Sequence, residues 1–133
     1  MAKTSAGGTE TVRVRRTTTE RDDDHLRLTL PDVVKFLQDV LGTRLTAHIA
    51  GVADPKMVGR WIDGTKPAQA REKKLRDTLQ IFKVVMNAED EFVARSWFIG
   101  MNPNLDDEAP ADAIREGNAK DALAAARVYA NGH

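Results

Sequence analysis

Apolar residues recur at the spacing of an α-helix along most of the chain after residue 28. Between residues 28 and 42 they fall three or four positions apart, which predicts a helix with one buried face. Its apolar positions are Leu30, Val33, Leu37, Val40 and Leu41. Pro31 near the start and Gly42 after the end are residues typical of helix boundaries. No segment alternates apolar and polar residues as a strand does, so the sequence predicts an all-α fold.

Residues 45–64 predict two short helices joined by a tight turn. Asp54 offers a cap oxygen and Pro55 suits the first helical position, where a missing N–H costs nothing. Val58, Trp61 and Ile62 form the inward face of the second helix, and Gly64 ends it. This pattern is typical of a helix-turn-helix, although an ordinary αα-hairpin in a helical bundle would share it.

The outward face of that second helix carries the candidate DNA-binding residues. Lys56, Gly59 and Arg60 lie on it, and Asp63 follows one turn later. We expect Met57 to lie nearby and Lys66 to reach a phosphate. Asp63, on the same face, would repel a DNA phosphate.

Four further helices are predicted after this unit. A long helix spans about residues 68–87 with Leu75, Leu79, Phe82 and Val85 or Met86 buried, while its cations Arg71, Lys73, Lys74 and Arg76 stay solvated. Asn87 is expected to cap the next helix, whose apolar side is Phe92, Val93, Trp97 and Phe98. Pro110 begins a short helix that ends at Gly117, and Asn118 caps an alanine-rich helix to Ala130. The small side chains of this last helix would let another helix approach closely, either in a homodimer or in a complex with a partner protein.

The chain divides into three predicted parts. Residues 1–27 combine Thr, Gly and both charges with few large apolar residues, which predicts a disordered tail. Residues 28–87 form a helix-turn-helix-containing bundle, and residues 88–133 form a second small helical domain. Residues 44–83 hold nine Lys and Arg against four Asp and Glu, whereas residues 84–133 hold four against nine. This asymmetry suggests two surfaces for two partners, one of which is anionic.

The composition excludes several classes of chemistry. Without cysteine, the chain has no disulfide and no thiolate metal site, and His25, His48 and His133 lack metal-ligand spacing. Neither a membrane span nor a secretory signal is evident, so we expect a cytoplasmic protein. The acids at residues 106–108 and the serines Ser5 and Ser96 lack catalytic partners. We therefore expect a binding protein with no cofactor rather than an enzyme.

Most of the chain after residue 28 resembles a known family. Arg60-Trp61 with Gly64, then Trp97-Phe98 with Asn102-Pro103-x-Leu105, Pro110, Gly117 and the alanine-rich helix are similar to Xre/MbcA/ParS-type antitoxins. The resemblance covers about residues 28–133. It implies a type II toxin–antitoxin system whose toxin carries a RES domain and consumes NAD. It also implies that the C-terminal domain blocks the toxin's active site, and that several members bind their own promoter.

The resemblance assigns toxin contacts to two segments. One is the Trp97, Asn102, Pro103 and Leu105 motif, and the other is the extreme C-terminus. The C-terminal contacts are expected at Val128, Tyr129, Asn131, Gly132 and His133. A short polar tip beyond the last turn can enter a cleft that the helix body is too wide to enter. A chain ending near Asn87 should then lose neutralisation. The alternative function is a stand-alone helix-turn-helix regulator without a toxin.

Overall fold

The computed structural model describes residues 27–132, and within that range it contains seven α-helices, one 3₁₀ turn and no strand. The all-α prediction is therefore confirmed. The predicted disordered tail lies outside the described residues, apart from Arg27. The helices are α1 (Leu30–Leu41), α2 (Thr43–Ala50), α3 (Lys56–Ile62), α4 (Gln69–Met86), α5 (Glu91–Ile99), α6 (Pro110–Arg115) and α7 (Ala119–Asn131), with the 3₁₀ turn at Pro103–Leu105.

Helix α1 forms as its pattern predicts. Thr29 caps it, because the Thr29 Oγ1 accepts a hydrogen bond from the Asp32 N–H at 3.3 Å. All five apolar positions of the pattern are buried, and Val34 joins them. Gly42 ends the helix with a φ of +90°, a left-handed conformation that glycine adopts without strain.

The two-helix unit also forms. Gly51, with a φ of +88°, ends α2, and the Asp54 Oδ1 accepts a hydrogen bond from the Lys56 N–H at 3.0 Å. Val58 and Trp61 are buried on the inner face of α3, whereas Ile62 is half-buried. Asp54 thus orders the start of α3, as the sequence suggests.

Three predictions about α4 and α5 are wrong. Arg71 and Arg76 are half-buried rather than solvated. The Arg71 Nη2 donates to the Gly51 carbonyl at 3.2 Å, and Arg76 donates to the Leu28 carbonyl at 2.8 Å and to Glu72 at 2.9 Å. Asn87 has helical backbone angles and ends α4, so Asp90 caps α5 instead by accepting from the Val93 N–H at 2.9 Å. An N-cap needs an extended backbone, and Asp90 has one.

Both predicted domains contribute to one hydrophobic core. Helix α7 packs along α4, and α6 packs on α2. Buried side chains from Val33 in α1 to Ala126 in α7 belong to a single cluster. The alanine-rich face of α7 does admit a close neighbour, but that neighbour is α4 of the same chain. No gap in this core separates the two predicted domains. The boundary between residues 87 and 88 therefore remains a prediction about function and not about packing.

Polar contacts join α6 to the end of α2 as well. The His48 Nε2 lies 2.6 Å from the Asp112 Oδ1, and the Arg115 Nη1 donates to the His48 carbonyl at 2.7 Å. The His48 carbonyl, in the last turn of α2, thus accepts from Arg115 as well as from the Gly51 N–H at 3.1 Å. No described helix is long and apolar enough to cross a lipid bilayer.

Candidate functional site

The predicted DNA-binding residues lie around α3. Lys56, Arg60 and Lys66 are exposed, and a Cβ added at Gly59 would meet nothing within 4 Å. Met57 is half-buried, with its Sδ 3.6 Å from the Arg60 Nη1. The open surface at Gly59 would let this short helix approach another molecule closely. Asp63 is exposed at the end of the same helix and places one anion beside the cations.

Trp97 and Tyr129, two of the predicted toxin contacts, lie together. Their ring centroids are 6.3 Å apart, and Trp97 also meets Phe98 edge-on at 5.2 Å. Both side chains are half-buried, so each keeps a face for a partner. Desolvation, followed by the charge of Glu89 and a hydrogen bond to it, raises the pKa of the Tyr129 hydroxyl above its ordinary value. The hydroxyl, which is protonated at neutral pH, donates to the Glu89 carboxylate.

The Asn102-Pro103-x-Leu105 motif between α5 and α6 mainly stabilises a loop and presents few of its side chains to solvent. Asn102 is 7% exposed, and its Oδ1 accepts from the Asn104 N–H at 2.9 Å. The Asn102 carbonyl accepts from the N–H groups of Leu105 and Asp107, both at 2.9 Å. Leu105 is 9% exposed, so it anchors the loop to the core, while Pro103 faces solvent. In this conformation a partner could touch Pro103, whereas Asn102 and Leu105 hold the loop.

We expect Asn102→Ala to destabilise the fold by about 1 kcal/mol, since it removes a buried acceptor and leaves the Asn104 N–H without its partner. Asn102→Asp keeps an oxygen at that position and should cost less. Urea unfolding of the two variants beside the parent chain measures the difference. An unchanged midpoint for Asn102→Ala would contradict the loop-building role.

A groove of about 400 Å³ lies between this loop and α7. Leu105 and Val128, both predicted toxin contacts, line it together. Three carboxylates also line it, those of Asp106, Glu108 and Asp121. A hydrogen bond to Glu116, then desolvation, then the negative charges of Glu116 and Asp112 raise the pKa of Glu108. The groove is therefore lined by carboxylates and, among the described residues, by no Lys or Arg.

The predicted polar tip is shorter than the sequence suggests. Asn131 is the last residue of α7 and Gly132 ends the helix, while His133 lies outside the described residues. Asn131 also lines a smaller groove of about 220 Å³ between the ends of α4 and α7. The tip thus starts one residue later than predicted, but Asn131 and Gly132 are exposed.

Sequence reasoning missed a second exposed surface on α5. Phe92 is 76% exposed, Ile99 is 59% exposed and Met101, just after the helix, is 80% exposed. Phe92 and Ile99 are seven residues apart, which places them on one face of the helix, with Ser96 between them. We call Phe92, Ser96, Ile99 and Met101 the α5 stripe. A signal was present, because apolar residues occupy so many of the nine positions in α5 that one face could not bury them all.

Comparison with known proteins finds a structural likeness. No protein-family model matches this sequence, and no curated protein matches it. A chain in the crystal structure of the M. tuberculosis MbcT–MbcA toxin–antitoxin complex matches the fold with a TM-score of 0.65. The match covers 79% of this chain and 96% of that chain, at 24% sequence identity. At this identity the likeness establishes a shared fold.

Proposed function

We propose that this chain is the antitoxin of a type II toxin–antitoxin system and that it acts by binding a protein toxin. The observation that carries the proposal is the fold, which it shares over 96% of the matched chain with a component of a toxin–antitoxin complex. The sequence resemblance around Trp97, Asn102, Pro103 and Leu105 supports the same assignment. An antitoxin of this kind needs no catalytic centre, and it acts by occupying the toxin.

The α5 stripe and the C-terminal tip together are the proposed toxin-binding surface. Interfaces are enriched in aromatic residues and Met, and an exposed Phe92 beside Met101 matches that composition. A standard interface covers roughly 800 Å² on each partner, whereas a helix is only about 10–12 Å across. One toxin can therefore contact the stripe on one side of α5 and the Trp97–Tyr129 pair on the other. The stripe supplies affinity, and the tip reaches the active site.

The proposed toxin is a RES-domain protein that consumes NAD, as the resemblance implies. The direct test starts from the gene beside that of this chain: where it encodes a RES-domain protein, that protein is expressed in bacteria with and without the chain. We expect growth arrest to be relieved and the two proteins to purify together, with cellular NAD preserved. Growth arrest that persists despite soluble expression of both proteins would overturn the proposal. A genome with no such neighbour would favour the stand-alone regulator.

A second role, binding of promoter DNA, rests on the cations of residues 44–83 and on the exposed face of α3. Lys56 and Arg60 are exposed on α3 and are the residues proposed to contact base edges. Lys66, exposed beyond the end of the helix, is proposed to meet a phosphate. Homodimerisation would double this contact, as it does for helix-turn-helix proteins on two half-sites. Dimerisation would also help a chain of this size to bury more surface.

We expect Arg60→Ala to weaken specific promoter binding by ~1–3 kcal/mol, whereas Lys66→Ala should mainly reduce the salt slope by roughly one. Asp63→Asn is the matched variant on the same helix and should strengthen binding, since it removes a charge that repels phosphate. Fluorescence anisotropy with the promoter DNA, repeated over a salt series, measures all three. Absence of binding by the parent chain at low salt would remove this role and leave the antitoxin proposal intact.

A further inference from the structure

Asn131 and Gly132 form a pair of neighbours that can react with each other. Asn131 is the last residue of α7, Gly132 follows it, and both are exposed. The side-chain amide of an asparagine is open to attack by the backbone nitrogen of the next residue, and glycine, which has no Cβ, obstructs that attack least. We propose that Asn131 is a site of spontaneous deamidation, which converts it to aspartate and isoaspartate without an enzyme.

The reaction consumes only water besides the chain itself. The Gly132 N–H loses its proton to solvent, and the nitrogen forms a bond with the side-chain carbon Cγ of Asn131. The bond between Cγ and the amide nitrogen then breaks, and that nitrogen takes up a proton and leaves as ammonia. The product is a cyclic imide. Water opens the imide at Cγ to give aspartate, or at the main-chain carbonyl to give isoaspartate, whose backbone is longer by one carbon.

The position at the end of α7 gives the backbone the freedom that this reaction needs. The Gly132 N–H donates to the carbonyls of Val128 and Tyr129 at 3.1 and 3.2 Å, and these hydrogen bonds must open before the nitrogen can attack. They belong to the last turn of the helix, which frays at little cost in free energy. The core is not disturbed, because neither Asn131 nor Gly132 belongs to the buried cluster.

Three of the other four asparagines lack a neighbour that can attack in this way. Asn102 precedes a proline, which has no N–H. Asn104 precedes Leu105, whose N–H is bound to the Asn102 carbonyl at 2.9 Å inside an ordered loop. Asn118 precedes Ala119, which carries a Cβ and is only 9% exposed. The structure therefore singles out the end of α7.

The fourth, Asn87, is an internal control for Asn131. Both side chains are exposed, both lie at the end of a helix, and both line the groove of about 220 Å³ between the ends of α4 and α7. Lys83 and Arg127 line the same groove. Positive charge there favours the negative charge that develops on the attacking nitrogen and on the product carboxylate. The two sites share these surroundings and differ in the next residue, which is alanine after Asn87 and glycine after Asn131.

Deamidation would change the C-terminal tip that is proposed to enter the toxin. This consequence rests on the proposed function, whereas the conversion itself does not. The amide loses its two N–H donors and becomes a carboxylate, which must give up its water to enter a cleft. The free chain would therefore lose inhibitory power with time. A bound toxin would cover the tip and slow the change.

Incubation of the full chain without toxin, over a series of pH values from neutral upward, tests the site. Peptide mapping by mass spectrometry locates the mass gain of an amide that has become an acid, and a methyltransferase specific for isoaspartate labels the rearranged product. We expect Asn131 to convert before Asn87, at a rate that rises with hydroxide concentration because the attacking nitrogen must lose its proton. No conversion at Asn131, or none faster than at Asn87, would overturn the proposal.

Two substitutions should move the reaction in opposite directions. Gly132→Ala should slow the conversion of Asn131 to about the rate seen at Asn87. A Cβ at Gly132 would meet only the carbonyl oxygens of Tyr129 and Val128, at 3.5 and 3.6 Å, and the backbone there is right-handed, so the fold is kept. Replacement of the alanine after Asn87 by glycine should speed the conversion of Asn87. If Gly132→Ala converts as fast as the parent chain, the backbone nitrogen is not the attacking group and the proposal is wrong.

Addition of the toxin separates this proposal from the proposed function. We expect slower conversion of Asn131 in the complex, and weaker inhibition by aged chain than by fresh chain. Asn131→Asp carries the product charge without ageing and should weaken inhibition in the same direction. If the aged chain has converted but inhibits as well as fresh chain does, the deamidation site is confirmed and the tip does not enter the active site.

Discussion

Phe92→Ala is expected to weaken toxin binding by about 2 kcal/mol, a loss of roughly 30-fold in affinity, while the fold remains intact. The side chain is 76% exposed in the chain alone, so removing it creates no cavity in the core. Aromatic anchors at the centre of an interface carry much of the binding energy because they become fully desolvated there. Calorimetric titration of the chain with its toxin, together with a thermal melt, separates affinity from stability.

The control for this prediction is Lys35→Ala, an exposed residue of α1 outside the proposed surface. It should leave the affinity unchanged. Ile99 lies seven residues from Phe92 on the same helix face. Ile99→Ala should also lower the affinity for the toxin, but by less than Phe92→Ala does. If the Phe92→Ala variant binds the toxin as tightly as the parent chain does, the α5 stripe is not the toxin-binding surface. Self-association by the stripe would appear separately, as a change in the sedimentation of the chain without toxin.

A single substitution on the α5 stripe tests toxin binding better than a truncation near Asn87, because the truncation would remove part of the hydrophobic core. Leu79, Phe82 and Val85 of α4 are buried in the same cluster as Phe98 of α5 and Ala126 of α7. A chain that ends at α4 would expose that apolar face to water. Loss of neutralisation would then follow from lost stability as readily as from a lost contact.

The helices with one clear apolar face were predictable from sequence. In α1 the period of Leu30, Val33 and Leu37 left a single way to bury the helix, and the structure has that arrangement. In α5 the apolar residues surround the helix, so the period does not select a face. The neighbours decide it: Phe98 stacks on Phe82 at 6.1 Å and is buried, which turns Phe92 outward. That choice is tertiary and cannot be read from nine residues.

The cap residues and the loop motif show the same limit. Asn87, Asp90 and the acids around them are all able to cap a helix, and the one that does is the one whose backbone is extended. Asn102 and Leu105 stand out in the sequence because the loop needs them, since one accepts a backbone N–H and the other fills the core. A pattern of residues alone does not distinguish a contact with a partner from a contact that shapes the surface beneath it.

Deletion of Asn131 to His133 is expected to restore toxin activity while the complex still forms. Asn131 and Gly132 are exposed and contribute nothing to the core cluster, so their loss shortens α7 only at its end. The hydrogen bonds that close this end run from the Gly132 N–H to the carbonyls of Val128 and Tyr129, at 3.1 and 3.2 Å. Fraying there is confined to the last turn. Affinity from the α5 stripe would therefore persist, whereas the segment proposed to enter the active site would be gone.

Two measurements on the purified complex test this deletion. Gel filtration reports whether antitoxin and toxin remain together, and an NAD-consumption assay reports whether the toxin is active. A length-matched variant, in which Asn131, Gly132 and His133 are all replaced by alanine, separates physical blockage from side-chain recognition. If blockage by bulk is the mechanism, this variant still inhibits although the deletion does not. Full inhibition by the deleted chain would mean that another surface, such as the Trp97–Tyr129 pair or the α5 stripe itself, closes the active site.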